Sequence, residues 1–195
     1  MGRNLRLSAL AALILLGWGA GVSLAGSGDA DGTYTVTVTK VELSTDGSNF
    51  ITAFSGSSAI NIASATAGAQ AAGLVSGAAI PPGNYSTIRV TLGSTLLIKG
   101  FITISGNANY TNGGTDSNGF AVNIGDANPP SSGYTISTFT IPAANRVNTF
   151  TPPSFTVKEG SAATTCSITF NTAGVITNSG GTPTIGPPDV SVSVS

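Results

Sequence analysis

The side chains able to do chemistry in this chain are few, and most are carboxylates. Asp29, Asp31, Asp46, Asp116, Asp126, Glu159 and Asp189 stand beside Gly, Asn, Ser or Pro, the setting of residues that shape turns by bonding to nearby backbone. Two acids held a fixed distance apart can hydrolyse a glycosidic bond, but no spacing here singles out a pair. Asp29-Ala30-Asp31-Gly32 and Asp116-Ser117-Asn118-Gly119 offer oxygen ligands of the kind Ca²⁺ takes, without completing a known calcium loop. Calcium is therefore a weak cofactor expectation, and turn-forming is the stronger role for these acids.

Lys40 and Lys99 fall inside apolar, strand-like stretches. An inward ammonium needs a carboxylate or amide partner. Beside an Asn and an acid, such a lysine could condense into an isopeptide cross-link with loss of ammonia. The plainer expectation is a lysine at an edge or bulge whose head reaches water. Cys166 shares parity with Ile168 and Phe170, which predicts a buried, inert thiol; an intermolecular disulfide is the alternative. The Asn- and Gly-rich stretch 105–114 reads as an exposed loop. Asn109 and Tyr110 within it, with Asp116 and Asn118 just beyond it, are candidate ligand-loop residues for a surface glycan or Ca²⁺, against a plain hairpin tip.

Composition narrows these options. Of 195 residues none is His, one is Cys, and 8% are charged, with a net charge of −1. Absence of His removes His-based triads, His metal sites and His general bases. The balance of charge gives no basic footprint for nucleic acid. With no His to activate it, Cys166 is a poor nucleophile. No enzyme chemistry is expected.

The N-terminus carries an address. Arg3 and Arg6 precede an uncharged run at residues 7–25, and Ser23-Leu24-Ala25 places small residues at −3 and −1. This pattern predicts a secretory signal peptide over residues 1–25, cut before Gly26. The run is 19 residues long, just enough to span a bilayer as a retained anchor. Gly17, Gly19 and Gly21 interrupt it, however, and no basic stop follows. Cleavage is the expectation, with a secreted, extracellular or periplasmic product and no membrane span. Residues 26–195 then form one domain, with a single Cys that excludes an internal disulfide.

Those residues must be positioned by strands. Tyr34, Val36 and Val38 alternate with Thr35, Thr37 and Thr39, and the parity changes near Lys40 so that Val41 and Leu43 continue the apolar face. A β-bulge there accounts for the change. Asp46-Gly47 predicts a hairpin turn into a strand at 50–54. Further strands are expected at 59–63, 86–92, 95–104, 120–124, 134–141, 155–157, 164–170 and 190–195, punctuated by Gly, Pro and Asn. The expected fold is an all-β antiparallel sandwich. Thr and Ser replace Lys and Glu on its outer faces, leaving few charges to discourage strand addition at the edges. The terminal Val190-Ser191-Val192-Ser193-Val194-Ser195 is an alternating strand whose usual partner is the chain's own sheet; the alternative is addition to a neighbouring copy, which makes Val190, Val192 and Val194 a candidate strand-exchange segment.

Several segments together resemble a family of secreted prokaryotic domains of unknown function, described as prealbumin-like β-sandwiches. They are the strand at 34–43, Ala59-Ile60-Asn61-Ile62 leading to Gly73-Leu74, Ile80-Pro81-Pro82-Gly83-Asn84-Tyr85-Ser86-Thr87-Ile88-Arg89-Val90, and Phe155-Thr156-Val157-Lys158-Glu159-Gly160 before the strand ending Ile168-Thr169-Phe170. Where the family has an acidic-Leu-Leu segment, this chain has Asn61-Ile62-Ala63. The resemblance implies a prealbumin-like or immunoglobulin-like sandwich outside the cytoplasm, and supplies no catalytic residue. The functional expectation is a non-catalytic exported protein with a structural or adhesive role at the cell surface or in the extracellular matrix. The alternatives are a filament subunit that pairs with itself by strand exchange, and a glycan- or calcium-binding module.

Overall fold

The computed structural model describes residues 12–17, 27–63, 69–73, 80–159 and 165–194, with backbone alone for 12–17, 69–73, 165–169 and 189–194. Arg3, Arg6, the cleavage tripeptide Ser23-Leu24-Ala25, Leu74 and Ser195 lie outside the described residues, as do the side chains of Cys166, Val190, Val192 and Val194. The chain is mostly β, with about 60% of residues in strands and antiparallel sheets throughout its main body. No helix among the described residues is long and apolar enough to cross a membrane.

In chain order the strands are β1 (Ala12–Gly17), β2 (Ala30–Ser44), β3 (Phe50–Asn61), β4 (Ala69–Gly73) and β5 (Gly83–Tyr85). Next come β6 (Thr87–Ile104), β7 (Asn107–Thr111), β8 (Phe120–Asn123), β9 (Ser137–Thr140) and β10 (Val147–Phe150). The last are β11 (Phe155–Val157), β12 (Thr165–Asn171), β13 (Ile176–Ser179), β14 (Thr182–Ile185) and β15 (Asp189–Val194). A seven-stranded sheet follows the order β3-β2-β6-β7-β8, with β9 and β10 also on β6. A four-stranded sheet follows β15-β12-β1-β4, and β5 with β11 and β13 with β14 form two-stranded ribbons.

Strand β6 organises the large sheet. Along one edge it pairs with β2, and its other edge serves β10, β9 and β7 in turn. The sequence pattern predicts two strands here; the structure has one strand of 18 residues. Gly93 and its neighbours do not turn the chain. They form a bulge opposite Thr37, because Val36 pairs with Leu96 while Val38 pairs with Leu92. A Cβ at position 93 would come 3.2 Å from the Thr37 Cβ, so the glycine allows the two backbones to approach closely.

On β2, the register shifts against both β3 and β6 between Val38 and Lys40, where the parity of apolar residues changes. The β2–β3 turn is held by Asp46. Its carboxylate accepts the backbone N–H groups of Ser48 and Asn49 and the Asn49 amide, at 2.9, 2.7 and 2.7 Å. These three bonds, led by the Asn49 N–H, hold the Asp46 carboxyl far below the usual range.

A further sequence expectation changes, and an open one is decided. Stretch 105–114 is not a loop but a hairpin, with only Ser105-Gly106 at the tip and β7 paired on both sides, to β6 and β8. Both tip residues have positive φ, 51° and 79°, the geometry of a tight hairpin turn. Polarity misled here because the Asn107 side chain serves the backbone beside the sheet, accepting the Gly125 N–H of the turn after β8 at 2.7 Å. The terminal strand β15, in turn, pairs antiparallel with β12 of its own chain, placing Val194 opposite Cys166 and Val190 opposite Phe170.

The main core lies on the inward face of the large sheet. Val41, Ile88 and Ile98 are fully buried there. Tyr85 and Phe155 close one end with stacked rings 5.7 Å apart, and the Tyr85 hydroxyl donates to the Pro81 carbonyl at 2.8 Å. That bond satisfies the one polar atom the ring takes out of water.

Candidate functional site

Three polar clusters and one cavity stand out, and the first cluster is built by cross-strand neighbours. Glu42 on β2 lies directly opposite Arg89 on β6. Its carboxylate is buried, yet Arg89 Nε donates to Oε2 at 2.8 Å and Lys40 Nζ lies 2.6 Å from Oε1. Arg89 also stacks over Phe50, 3.7 Å from the ring centroid, a cation–π contact. The Arg89 bond, assisted by Lys40, holds the Glu42 carboxyl below its usual value although burial alone would raise it. A carboxylate pinned as an anion between two cations is a structural acceptor and a poor proton donor.

The second cluster joins distant segments. Tyr134 donates its hydroxyl to Asp31 Oδ2 at 2.8 Å, and Lys99 Nζ lies 3.6 Å from the same oxygen. Lys99 also sits 5.3 Å from the Tyr134 ring centroid. Burial and then the Asp31 carboxylate push the Tyr134 hydroxyl well above its ordinary pKa, so it stays protonated and donating. Both candidate cross-link lysines thus face carboxylates, and their side chains remain 41% and 36% exposed for Lys40 and Lys99.

The four candidate ligand-loop residues are divided between two elements. Asn109 and Tyr110 belong to β7, with Asn109 buried and its amide donating to the Asn107 carbonyl at 3.2 Å. Asp116 and Asn118 share a single 3₁₀ turn. There the Asp116 carboxylate accepts the Thr140 N–H at 2.6 Å and hydroxyl at 3.0 Å, tying the turn to β9. Asp29 accepts the Gly174 N–H at 2.9 Å. Among the described residues no three Asp, Glu or Cys side chains gather in a way that could hold a metal ion.

The cavity lies elsewhere, on the inward face of β2 and β6, and occupies about 480 Å³. Tyr34, Val36, Val38, Leu92 and Leu96 form its wall. Phe139 and Phe150, from the segment that returns along the far edge of β6, close one side, and Phe170 with residues 185–188 closes another. The Tyr34 hydroxyl, pushed up to about 12 by burial, donates to the Gly186 carbonyl at 3.1 Å. Thr140, Asn145 and Asn148 bring polar groups to the lining. Thr140, Ala144, Asn145 and Val147 are exposed, so the space opens to solvent along this rim.

The sequence reading missed this cavity and the Glu42–Arg89 pair. Lys40-Val41-Glu42 shows a charge pair on one strand face, but only the sheet register brings Arg89 across from it. For the cavity no signal exists, because a Val facing a void and a Val facing a packed layer alternate in the same way. Comparison with known protein families, curated proteins and solved structures finds no match to this chain.

Proposed function

We propose that this is a non-catalytic exported β-sandwich, of the prealbumin-like or immunoglobulin-like kind, with a structural or adhesive role at the cell surface or in the extracellular matrix. The observation that carries this reading is where its few charges go. Glu42, Asp31, Asp46 and Asp116 each hold strands or turns together through short bonds, and the Glu42 carboxyl is held below, and the Tyr134 hydroxyl above, its ordinary pKa. The signal-peptide pattern and the Thr-rich strand faces support export. The test fractionates producing cells and measures the mass of the isolated protein. A chain beginning at Gly26 in the surface or extracellular fraction, with cell adhesion reduced on its deletion, is the expected result. An intact chain confined to the cytosol overturns the reading.

A second reading, self-assembly by strand exchange, draws on the position of β1. This strand comes from the apolar leader stretch, yet it sits inside the four-stranded sheet, parallel to β12 and antiparallel to β4. Cleavage after Ala25 removes it and leaves the β12 edge open to a strand from a second copy. Light scattering and negative-stain microscopy should show oligomers or fibres for protein starting at Gly26 and none for the uncleaved chain. A stable monomer of the shorter form at high concentration overturns this second reading.

A further inference from the structure

We propose that the cavity on the inward face of β2 and β6 is a binding site for a neutral, largely hydrocarbon molecule, of the class of an uncharged acyl ester. Its volume of about 480 Å³ falls within the range of small-molecule sites, and its exposed rim at Thr140, Asn145 and Val147 gives a ligand a way in. Apolar walls hold water poorly. Val36, Val38, Leu92, Leu96 and Phe139 therefore favour an apolar occupant over solvent.

Charge complementarity sets the class more closely. The described lining residues include no carboxylate, ammonium or guanidinium. The Tyr34 hydroxyl is neutral and engaged with Gly186. Arg146 adjoins the lining residues Asn145 and Val147 without itself lining the space, and its Nε donates to the Ile141 carbonyl at 2.8 Å, which positions the guanidinium without neutralising it. A carboxylate entering this space would meet no counter-ion among the described lining residues, which is expensive. An ester or hydroxyl head meets the amide of Asn148, half-buried on β10, and of Asn145, at the exposed side of the lining. Such a site discriminates against free fatty acids in favour of their neutral esters.

The experiment uses the full chain and the uncharged fluorophore N-phenyl-1-naphthylamine, with 1-monolauroylglycerol and dodecanoate as competitors below their micelle concentrations at pH 8. Saturable fluorescence enhancement at one probe per chain is expected, with displacement by monolauroylglycerol at least tenfold more effective than by dodecanoate. Leu92→Trp, which fills the cavity, should weaken probe binding at least tenfold while the circular dichroism spectrum is unchanged. Should that variant fail to fold, Asn148→Trp at the half-buried edge tests the same point. Val122→Trp, on the exposed β8, should bind as the unsubstituted chain does. Absence of saturable binding, as when the chain fills the space itself, overturns the proposal. Equal competition by dodecanoate overturns the neutral class, and undiminished binding in a folded Leu92→Trp or Asn148→Trp variant overturns the location.

Discussion

Strands β2 and β6 run side by side for most of their length, yet their two halves meet different surroundings. On one side of the bulge between Val38 and Lys40, Val41 and Leu43 join the core that holds Ile88, Tyr85 and Phe155, and even Glu42 and Ser44 on the opposite parity are buried. On the other side, Tyr34, Val36 and Val38 face the cavity with Leu92 and Leu96. The same alternation of apolar residues builds both halves. One is closed by the stacked rings of β5 and β11 and covered on its second face by an ion pair; the other is left hollow. Burial of a residue and filling of the space it faces are separate properties, and only the first follows from pattern.

The packed half should respond most strongly to deletion. Ile88→Ala removes three carbons from a fully buried site and should destabilise by about 2–5 kcal/mol in urea titration; a loss below ~1 kcal/mol would mean this half is also loose. Enlargement separates the halves next. Val41→Phe, fully buried on the packed side, should cost about 1–3 kcal/mol through overpacking. Leu92→Phe extends into the cavity, so its stability should stay within ~1 kcal/mol of the unsubstituted chain or rise. Equal penalties for the two would erase the contrast.

A smaller effect comes from the ion pair that covers the packed half. Glu42→Gln should lower stability by about 1 kcal/mol at pH 7, as expected for loss of a charge-assisted bond with partly exposed cations. Because the folded-state pKa of Glu42 lies below its ordinary 4.5, its contribution is full above that pH and disappears as pH falls through the depressed value. The gap between the two proteins in thermal melting should therefore narrow under acid conditions; a constant gap would assign the effect to packing instead. The smallest change is expected for Tyr134→Phe, which removes one bond to Asp31 and should cost no more than ~1 kcal/mol, with the cavity and Ile88 unaffected.

Much of the strand content was legible because Thr and Val alternate with so few interruptions. Strand β11 and the Asp46-Gly47 turn fall where pattern places them, since each depends on residues close in sequence. The continuity of β6 was not legible, because Gly93-Ser94 reads as a turn until Thr37 is known to lie against it. Strand β7 was hidden by its asparagines, whose amides bond nearby backbone groups. Strand β3 also alters the reading of unguarded edges. It ends the large sheet and carries no charged residue, but it bulges at Gly56-Ser57, opposite Thr39, and again at Ala53. Bulges twist an edge away from a flat partner, so geometry protects where charge does not.

The sequence by itself determined an all-β chain, the place where β2 changes parity, and the shortage of groups able to move protons. These follow from local sterics, from the period of two along a strand, and from composition. The tertiary structure alone decided that Arg89 faces Glu42, that Tyr134 reaches Asp31, that β15 returns to its own β12, and that half of the inward face borders an unfilled space. Each of these depends on register and layer packing between segments far apart in the chain, which a pattern read along one strand does not contain.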